Sequence, residues 1–346
     1  MAKISIILAV YNGAEDVGRC IDSLRSQTYR DIEIICVDDG STDNTLEILK
    51  QYAGEDERIR VLEQGENKKL LLAIKRGVKA ATGEYIMFVD DDDWYEPNAC
   101  ERVAEIIADK QPDVIYYGTN LVETDGKTDN EIKANRISRL KSCDYEYCGE
   151  NTLWLENIKY IYLWNKAVKS DVAKAAYDAM PDAEMTYCSD GYACMMIHYY
   201  AKSIVCIEDK LINYNYLAGI SSHRAMSLDV FDYYLKCSKI AVDGLGSFLT
   251  ANGTNEDNDR YLEWLKRRIV LLIQLWRDHI SNEDALGGLE CLFKYYGSEV
   301  IISALQNNYY KLNRSRNRYK KKYEQALKKI DSNNNKRGLL GILHSR

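Results

Sequence analysis

The sequence predicts an α/β fold with a mostly parallel sheet and a helical C-terminal extension. Over residues 1–120, short apolar runs alternate with segments whose apolar residues have helical spacing. Repeated strand–helix–strand units build parallel sheets with helices on both faces. From residue 226 onward the pattern is helical. Polar clusters follow three of the apolar runs, and in such a sheet they reach the edge where ligands bind.

The apolar runs predict five strands, at residues 4–10, 32–37, 59–62, 85–89 and 114–117. The first helix between them is indicated by four apolar side chains that share one face at helical spacing: Val17, Cys20, Ile21 and Leu24. Residues 70–81 predict another helix, and Pro97 is typical of a helical first turn. Residues 121–225 have a mixed pattern that predicts no clear order of elements.

The composition is that of a globular protein of about two domains. The chain has 346 residues, 46% of them apolar and 29% charged. Its ten cysteines show no C-x-x-C pair and no zinc spacing with histidine, so we expect reduced thiols. Residues 4–10 are too short for a signal peptide, and no stretch approaches the ~18 apolar residues that span a bilayer. These features predict a cytoplasmic protein.

Charge is unevenly distributed along the chain. The net charge is −7, yet residues 311–346 carry twelve Lys and Arg against two acids, which gives +10 for this tail and −17 for the rest. An acidic body is unsuited to nucleic acid. The tail combines lysines with an apolar helical stripe, which predicts peripheral attachment to an anionic membrane, the inner face of the plasma membrane. The alternative is a helix packed on the body or on a second copy, as in a homo-oligomer.

Four consecutive carboxylates, Asp90 to Asp93, follow the predicted strand at residues 85–89. Adjacent carboxylates repel one another unless solvent or a cation relieves them, and a buried strand end limits access to solvent. Carboxylate oxygens suit Mg²⁺ or Mn²⁺, which commonly bridge to a diphosphate. The run therefore predicts a divalent-metal site. The alternative is a solvated acidic turn before a helix.

Two further polar turns follow the first and second predicted strands. Residues 38–41 read Asp-Asp-Gly-Ser, and one of these carboxylates is suited to accept from a base N–H or a ribose hydroxyl. The alternative is a strand-to-helix turn in which an acid caps the helix. Residues 11–13 read Tyr-Asn-Gly, which places an aromatic ring where a base can stack, or forms a simple loop.

Three sequence blocks, taken in their order and spacing, resemble the family 2 glycosyltransferases. The first is ISIILAVYN at residues 4–12 with CIDSLRSQTY at residues 20–29. The second is IEIICVDDGSTDNT at residues 32–45, and the third is GEYIMFVDDDDW at residues 83–94, which matches the D-x-D block of the family. The resemblance is strong over residues 3–110.

This resemblance implies a GT-A fold, a nucleotide-sugar donor, a divalent metal (Mn²⁺ or Mg²⁺) and transfer with inversion. By position, Tyr11 and Asp39 would hold the nucleotide base. Asp91 would lie near the ribose and diphosphate, and Asp92 would ligate the metal. The predicted donor site also includes Val10, Asn12 and Asp90, the first acid of the D-x-D triplet.

The resemblance also implies a general base and an acceptor side. In the family an E-D pair opens a downstream helix, and here Ser189-Asp190 occupies that position, so Asp190 is the predicted base. The alternative for Asp190 is a helix N-cap. Trp164 and Lys166 resemble a segment on the acceptor side of related sites, with a core tryptophan beside a surface lysine as the alternative.

One segment departs from the family pattern N-x-G-L-S-x-A-R-N-x-G. In residues 67–77 the usual Gly is Lys69, the Ser is Leu71, the Arg is Ile74 and the Asn is Lys75. Lys75 or Arg76 is the expected substitute for the missing cation near the donor. If neither serves, donor choice or activity is altered.

Two functions are consistent with these observations. The first is an inverting, metal-dependent transferase that moves a sugar, in our expectation from a UDP-sugar, to a growing surface glycan or lipid-linked acceptor. The second is a catalytically inactive relative that acts as a binding or scaffold protein. The expected domains are a transferase domain at 1–225 (nucleotide-sugar half 1–120, acceptor half 121–225), a helical domain at 226–310 and the basic tail at 311–346.

Overall fold

The computed structural model describes residues 2–122, 143–146, 162–215 and 226–312, except for the side chains of residues 143–146 and 306–312. The chain divides into two compact units, Met1–Ser222 and His223–Arg346. The first unit is α/β and the second is helical. The predicted fold class is therefore confirmed.

The first unit begins with alternating strands and helices. These are β1 (Ile4–Val10), α1 (Val17–Arg25), β2 (Ile32–Asp38), α2 (Thr45–Glu55), β3 (Ile59–Glu63), α3 (Lys69–Ala80), β4 (Tyr85–Val89), β5 (Trp94–Tyr95), α4 (Ala99–Lys110) and β6 (Val114–Val122). The later elements are β7 (Cys143–Glu146), β8 (Lys166–Lys169), α5 (Ser170–Asp178), α6 (Ser189–Tyr200) and β9 (Ser203–Asn215). All five predicted strands are present, and α4 begins two residues after Pro97.

The described strands form one nine-stranded sheet with the order β3-β2-β1-β4-β8-β6-β9-β5, and β7 pairs with β9. Strands β1 to β4 pair in parallel, as predicted, and β6 is parallel to β9. Strand β8 runs antiparallel between β4 and β6. Strand β8 lies in the part of the chain whose pattern predicted no order, whereas the two-residue β5, which pairs antiparallel with β9, lies earlier and was not predicted.

The register of the parallel strands aligns their carboxyl ends. Val10 at the end of β1 pairs with Asp38 at the end of β2, and Leu8 pairs with Val89 at the end of β4. The turns after β1, β2 and β4 therefore leave the sheet at the same edge, where a parallel sheet places its ligand site.

Strand β1 is buried on both faces of the sheet. Ile4, Ile6 and Leu8 belong to a core cluster that includes residues of α1 and α4. On the other face Ile7 contacts α3 at Gly77, where an added Cβ would lie 2.6 Å from Ile7 Cγ2. Helices thus cover both faces, and the absence of a side chain at Gly77 allows α3 to approach the strand closely.

The second unit consists, in its described part, of four helices: α7 (Leu228–Asn252), α8 (Asn255–His279), α9 (Ala285–Tyr296) and α10 (Ser298–Leu312). Thr254 and Asp257 form a reciprocal capping box that starts α8. Leu272 and Trp276, one helical turn apart in α8, have no exposed surface. Among the described helices, none combines the length and apolar character that a membrane crossing requires. Residues 313–346 lie outside the described part, so the membrane role of the tail stays a prediction.

Candidate active site

The turn after β1 is tied to the turn after β2 by Asn12. Its Oδ1 accepts from the Thr42 backbone N–H at 2.7 Å, and its own backbone N–H donates to Ser41 Oγ at 3.0 Å. Asn12 has a φ of 54°, a left-handed conformation that asparagine tolerates better than most residues. Tyr11, by contrast, is 46% exposed. Asn12 therefore shapes the turn, and Tyr11 presents a ring at the sheet edge.

Asp39 is a buried carboxylate held by neutral donors. Its Oδ1 accepts from Gln64 Nε2 and from the Lys68 backbone N–H, both at 2.7 Å, and its own N–H donates to Val10 O at 2.8 Å. Burial raises the pKa of Asp39, against these hydrogen bonds and the nearby Lys69 charge, which lower it. The contact with Val10 is a backbone contact and shows no role for the valine side chain.

Gly40 allows the turn after β2 to bend sharply. Its φ is 71°, and a Cβ there would lie 2.5 Å from the Glu66 carbonyl carbon. Next to it the Asp38 carboxylate accepts from the Ser41 N–H at 3.3 Å from both oxygens. Of the two acids in this turn, Asp38 stabilises the backbone, while Asp39 faces the segment that leads into α3.

The turn after β4 holds a cluster of three carboxylates, Asp90, Asp92 and Asp93. One oxygen from each lies within 4.8 Å of the others. Asp93 is fully buried, and its Oδ1 accepts from the Asn215 backbone N–H at 2.8 Å. Its Oδ2 is buried with no hydrogen-bond partner among the described residues. The first three acids of the run are half-buried.

Burial raises the pKa of every acid in this run, and the charges of nearby carboxylates add to the shift. Burial first and then the Asp92 charge raise the pKa of Asp93 to about 8 and that of Asp91 to about 7. Burial first and then the Asp190 charge raise the pKa of Asp90. Burial also raises the pKa of Asp92, although the nearby Arg19 charge opposes this shift. The cluster therefore holds more negative charge than the protein itself neutralises.

A divalent cation fits this cluster. The three carboxylates supply oxygen ligands of the kind that Mg²⁺ and Mn²⁺ prefer, and the unpartnered Asp93 Oδ2 is the buried atom that a cation would satisfy. The grouping differs from the sequence prediction, in which Asp92 alone was the ligand and Asp90 belonged to the donor site. Asp91 stands apart from the cluster, with its Oδ2 where a Cβ of Gly13 would lie.

Arg19 of α1 is the cation next to this turn. Its Nη2 donates to the Asp92 backbone oxygen at 2.9 Å and pairs with Asp16 at 3.0 Å. Its guanidinium also lies 4.3 Å from the ring centroid of Trp94. Arg19 therefore fixes the backbone of the acidic turn and offsets part of its charge.

Asp190 and Asp90 line the same pocket. Its remaining wall is apolar and includes Leu70, Ile74, Phe88 and Trp164. Asp190 is the second residue of α6, and Cys188, not Asp190, is the N-cap residue. Burial raises the pKa of Asp190, whereas the Lys166 charge, the Leu163 backbone and the Ser189 hydroxyl lower it. The N-cap alternative is therefore wrong.

Lys166 is fully buried behind Asp190. Its Nζ donates to Asn165 Oδ1 at 3.0 Å and lies 4.5 Å from the ring centroid of Tyr116. Burial lowers the pKa of Lys166, while the charges of Cys194 and Asp190 raise it. Lys166 has no exposed surface, and its acceptor-side role stays a prediction. The surface-lysine alternative is wrong.

Trp164 is almost completely buried, in an aromatic stack. Its ring lies 5.0 Å from that of Tyr162 and 4.8 Å from that of Tyr214, with both rings nearly parallel to it. It also lines the pocket that holds Asp90 and Asp190. Trp164 is thus both a core residue and part of the pocket wall.

The two cations expected to replace the family arginine are engaged elsewhere. Lys75 Nζ donates to Asp182 Oδ1 at 2.6 Å and to the Met180 oxygen at 2.9 Å. Arg76 donates to the Glu63 oxygen at 2.6 Å. Ile74, in the arginine position, faces the pocket. The expectation that Lys75 or Arg76 substitutes for that cation therefore has no support here.

Sequence reasoning overlooked two members of this site. Asp93 was seen only as the last acid of a run, although its position next to the D-x-D triplet was a usable signal. Gln64, which hydrogen-bonds Asp39, lies 25 positions further along the chain, and no local pattern indicates that contact.

Comparison with known proteins agrees with this geometry. Residues 5–166 match the family model described as Glycosyl transferase family 2. EpsH of Bacillus subtilis (strain 168), a glycosyltransferase by name, is 29% identical over 303 residues, which cover 87% of this chain and 83% of that protein. The chain spans between 13% and 41% of the length of seven further curated relatives.

Two solved structures share the fold over most of the chain. Residues 1–349 of Staphylococcus aureus TarS, in complex with UDP, are 18% identical with a TM-score of 0.63, covering 96% of this chain and 92% of that one. The mannosyltransferase PcManGT of Pyrobaculum calidifontis, in complex with GDP-Man and Mn²⁺, is 13% identical with a TM-score of 0.51, covering 94% and 87%. At such identities the likeness establishes the fold. Residues 5–166 therefore match the family 2 glycosyltransferase domain, the chain has a GT-A fold, and these matches support a transferase enzyme.

Proposed function

We propose that this enzyme transfers a sugar, with inversion, from a UDP-sugar to a hydroxyl of a glycan or lipid-linked acceptor. Asp190 is the general base, Tyr11 and Asp39 hold the base of the donor, and Asp90, Asp92 and Asp93 hold a divalent metal. The complex of TarS with UDP and that of PcManGT with GDP-Man and Mn²⁺ support a nucleotide donor and a metal.

The observation that carries this proposal is the shared pocket of Asp90 and Asp190. The two residues are 100 positions apart in the sequence and come from the end of β4 and the start of α6. An inverting transfer needs a base on the acceptor side, opposite the leaving diphosphate. The pocket is lined by both a base candidate and one acid of the proposed metal cluster.

Asp190 has the environment of a general base. Its raised pKa makes its carboxylate a stronger proton acceptor than an exposed aspartate, while the nearby Lys166 charge favours the ionised form. In the proposed reaction Asp190 removes the proton from the acceptor hydroxyl as that oxygen attacks the anomeric carbon, while the bond from that carbon to the diphosphate oxygen breaks and UDP leaves. Its own carboxyl group then carries the proton.

The turns after β1, β2 and β4 hold the nucleotide and the diphosphate of the donor. A metal bound to Asp90, Asp92 and Asp93 would neutralise charge on the donor diphosphate. Tyr11 offers its exposed ring for stacking, and Asp39 offers a carboxylate that two protein donors hold in place. These groups fix the donor, so that its anomeric carbon lies in the pocket beside Asp190.

A second candidate function is that of an inactive binding or scaffold protein. The observation that favours it is the pocket wall at Ile74, together with the engagement of Lys75 and Arg76 elsewhere. Without the family cation, the metal cluster and Arg19 are left to offset the donor charge. This alternative predicts nucleotide binding without turnover.

The test is the release of UDP, GDP or CDP from a panel of nucleotide-sugars by the full chain and by Asp190→Asn. The variant keeps the shape of the side chain but does not accept the proton, so we expect turnover to fall by ~10²-fold or more. Donor affinity should change little. Asp171→Asn is the matched control, because Asp171 is also an acid in the first turn of a helix but is exposed.

The outcomes separate the two functions. Donor-dependent release that is lost in Asp190→Asn and kept in Asp171→Asn supports the transferase. Near-normal release in Asp190→Asn removes the base assignment. Nucleotide binding without release for every donor and acceptor pair favours the scaffold.

A further inference from the structure

Lys69 has a backbone conformation that disfavours lysine. Its φ is 71°, in the left-handed region where glycine is the usual residue. The related family pattern has glycine at this position. The lysine therefore has the backbone conformation of a glycine, which lysine itself does not favour. Side chains kept in such conformations concentrate at sites that bind ligands.

The surroundings of Lys69 leave its ammonium available. Its backbone N–H donates to Asn67 Oδ1 at 3.2 Å, and the neighbouring Lys68 pairs with Glu66 at 3.5 Å. Lys69 itself makes no side-chain hydrogen bond or ion pair within the described part of the chain. It is half-buried, so the unpaired cation stands at the edge of the site and not in open solvent.

The group next to Lys69 is Asp39. The preceding residue donates its backbone N–H to Asp39 Oδ1 at 2.7 Å, and the Lys69 charge acts on the Asp39 carboxyl. The Lys69 charge lowers the pKa of Asp39, so the site offers a donor in the neighbourhood of an acceptor. Uracil presents the complement, an N–H flanked by carbonyl oxygens, as does guanine at its N1–H and O6. Cytosine has a lone pair at the equivalent ring nitrogen.

We propose that Lys69 reads the nucleobase of the donor by donating a hydrogen bond to a base carbonyl beside the N–H that Asp39 accepts. This inference rests on the proposed function, since it adds a specificity-determining residue to the same donor site. The proposal explains why a lysine stands where the family pattern has glycine, because donor binding offsets the backbone strain at Lys69.

The proposal predicts opposite effects on stability and affinity. Lys69→Gly removes the strained side chain and the ammonium, so the melting temperature should rise while nucleotide affinity falls. Lys69→Ala removes the ammonium and keeps a Cβ at positive φ, so affinity should fall without that rise. A merely structural lysine would not separate the two measurements in this way.

The experiment measures the affinities of UDP, GDP and CDP by calorimetry, and melting temperatures without ligand, for the full chain and its variants. Lys79→Ala is the control, because it removes an exposed lysine from the same helix. We expect both Lys69 variants to bind the preferred nucleotide, UDP or GDP, about tenfold more weakly, which is typical for loss of a charge-assisted hydrogen bond. Lys79→Ala should bind as the unchanged protein does.

Two results would overturn the inference. If Lys69→Gly melts higher and binds UDP and GDP as tightly as the unchanged protein, Lys69 does not read the base, and the proposed function stands. If the unchanged protein binds none of the three nucleotides, the donor site and this inference both fail. Equal losses of CDP and UDP affinity would likewise exclude base reading by Lys69.

Discussion

The two acidic turns at the sheet edge use their carboxylates in opposite ways. After β2, Asp38 and Asp39 are satisfied by protein donors: the Ser41 N–H, Gln64 and the Lys68 N–H. After β4, Asp93 has a buried oxygen with no partner in the described part of the chain, and it clusters with Asp90 and Asp92. The first turn is complete without an ion, whereas the second has a deficit of positive charge.

This difference explains why similar motifs suit different ligands. A carboxylate held by neutral donors is preorganised to accept one more hydrogen bond, which is what recognition of a base N–H requires. A group of mutually repelling carboxylates is stabilised best by a cation with several coordination positions. The number of protein donors around each carboxylate, more than the count of acids, separates a nucleotide-binding turn from a metal-binding turn.

The largest effect should come from Asp92→Ala. Loss of one of three clustered carboxylates should lower Mn²⁺-dependent turnover by more than ~10²-fold, since even outer-shell partners of a metal typically cost 10–100-fold. The fold should persist, because Asp92 is half-buried at a strand end. Turnover and Mn²⁺-dependent melting shifts are the measurements, and retained Mn²⁺-dependent turnover would contradict the metal assignment.

The acidic turn after β4 should also respond to pH. The folded-state pKa of Asp91 is raised to about 7 and that of Asp93 to about 8, so the folded protein binds these protons more tightly than the unfolded chain does. Without metal, the stabilisation that these two groups contribute to the fold should be fully present below about pH 4. It should be lost as the pH rises to about 8.

Mn²⁺ should reverse that trend, because it binds the ionised carboxylates. Its affinity should rise by roughly tenfold per pH unit for each proton it displaces between pH 6 and 8. Melting curves at both pH values, with and without Mn²⁺, provide the check, and Asp92→Ala is the control. An equal Mn²⁺ shift at pH 6 and pH 8 would argue against binding at this cluster.

The smallest of the three effects should come from Asp39→Asn. The amide keeps an acceptor oxygen but loses the charge, so we expect UDP affinity to fall about tenfold. This loss should be the same with and without Mn²⁺, whereas Asp92→Ala should affect only the binding that depends on Mn²⁺. A metal-dependent loss in Asp39→Asn would mean that the two turns are not separate in function.

Several assignments were available from local sequence pattern. The strands at residues 4–10 and 85–89 follow from unbroken apolar runs, and the polar residues after them follow from chain order. Parallel pairing then requires those turns to share an edge. The pattern did not assign the antiparallel strand β8 or the mixed strand β9, because their pairing depends on partners far away in the chain. The membrane role of residues 311–346 stays a prediction.

The sequence by itself determined the α/β class, the common edge for Asp39 and Asp92, and the family resemblance, because each depends on periodicity or on residues close together in the chain. Only the tertiary structure decided that Asp190 shares a pocket with Asp90, that Lys166 is buried and that Lys75 pairs with Asp182. It also decided that Lys69 has a positive φ. Those facts depend on how separate segments pack, since burial and charge pairing arise between residues that sequence spacing does not relate.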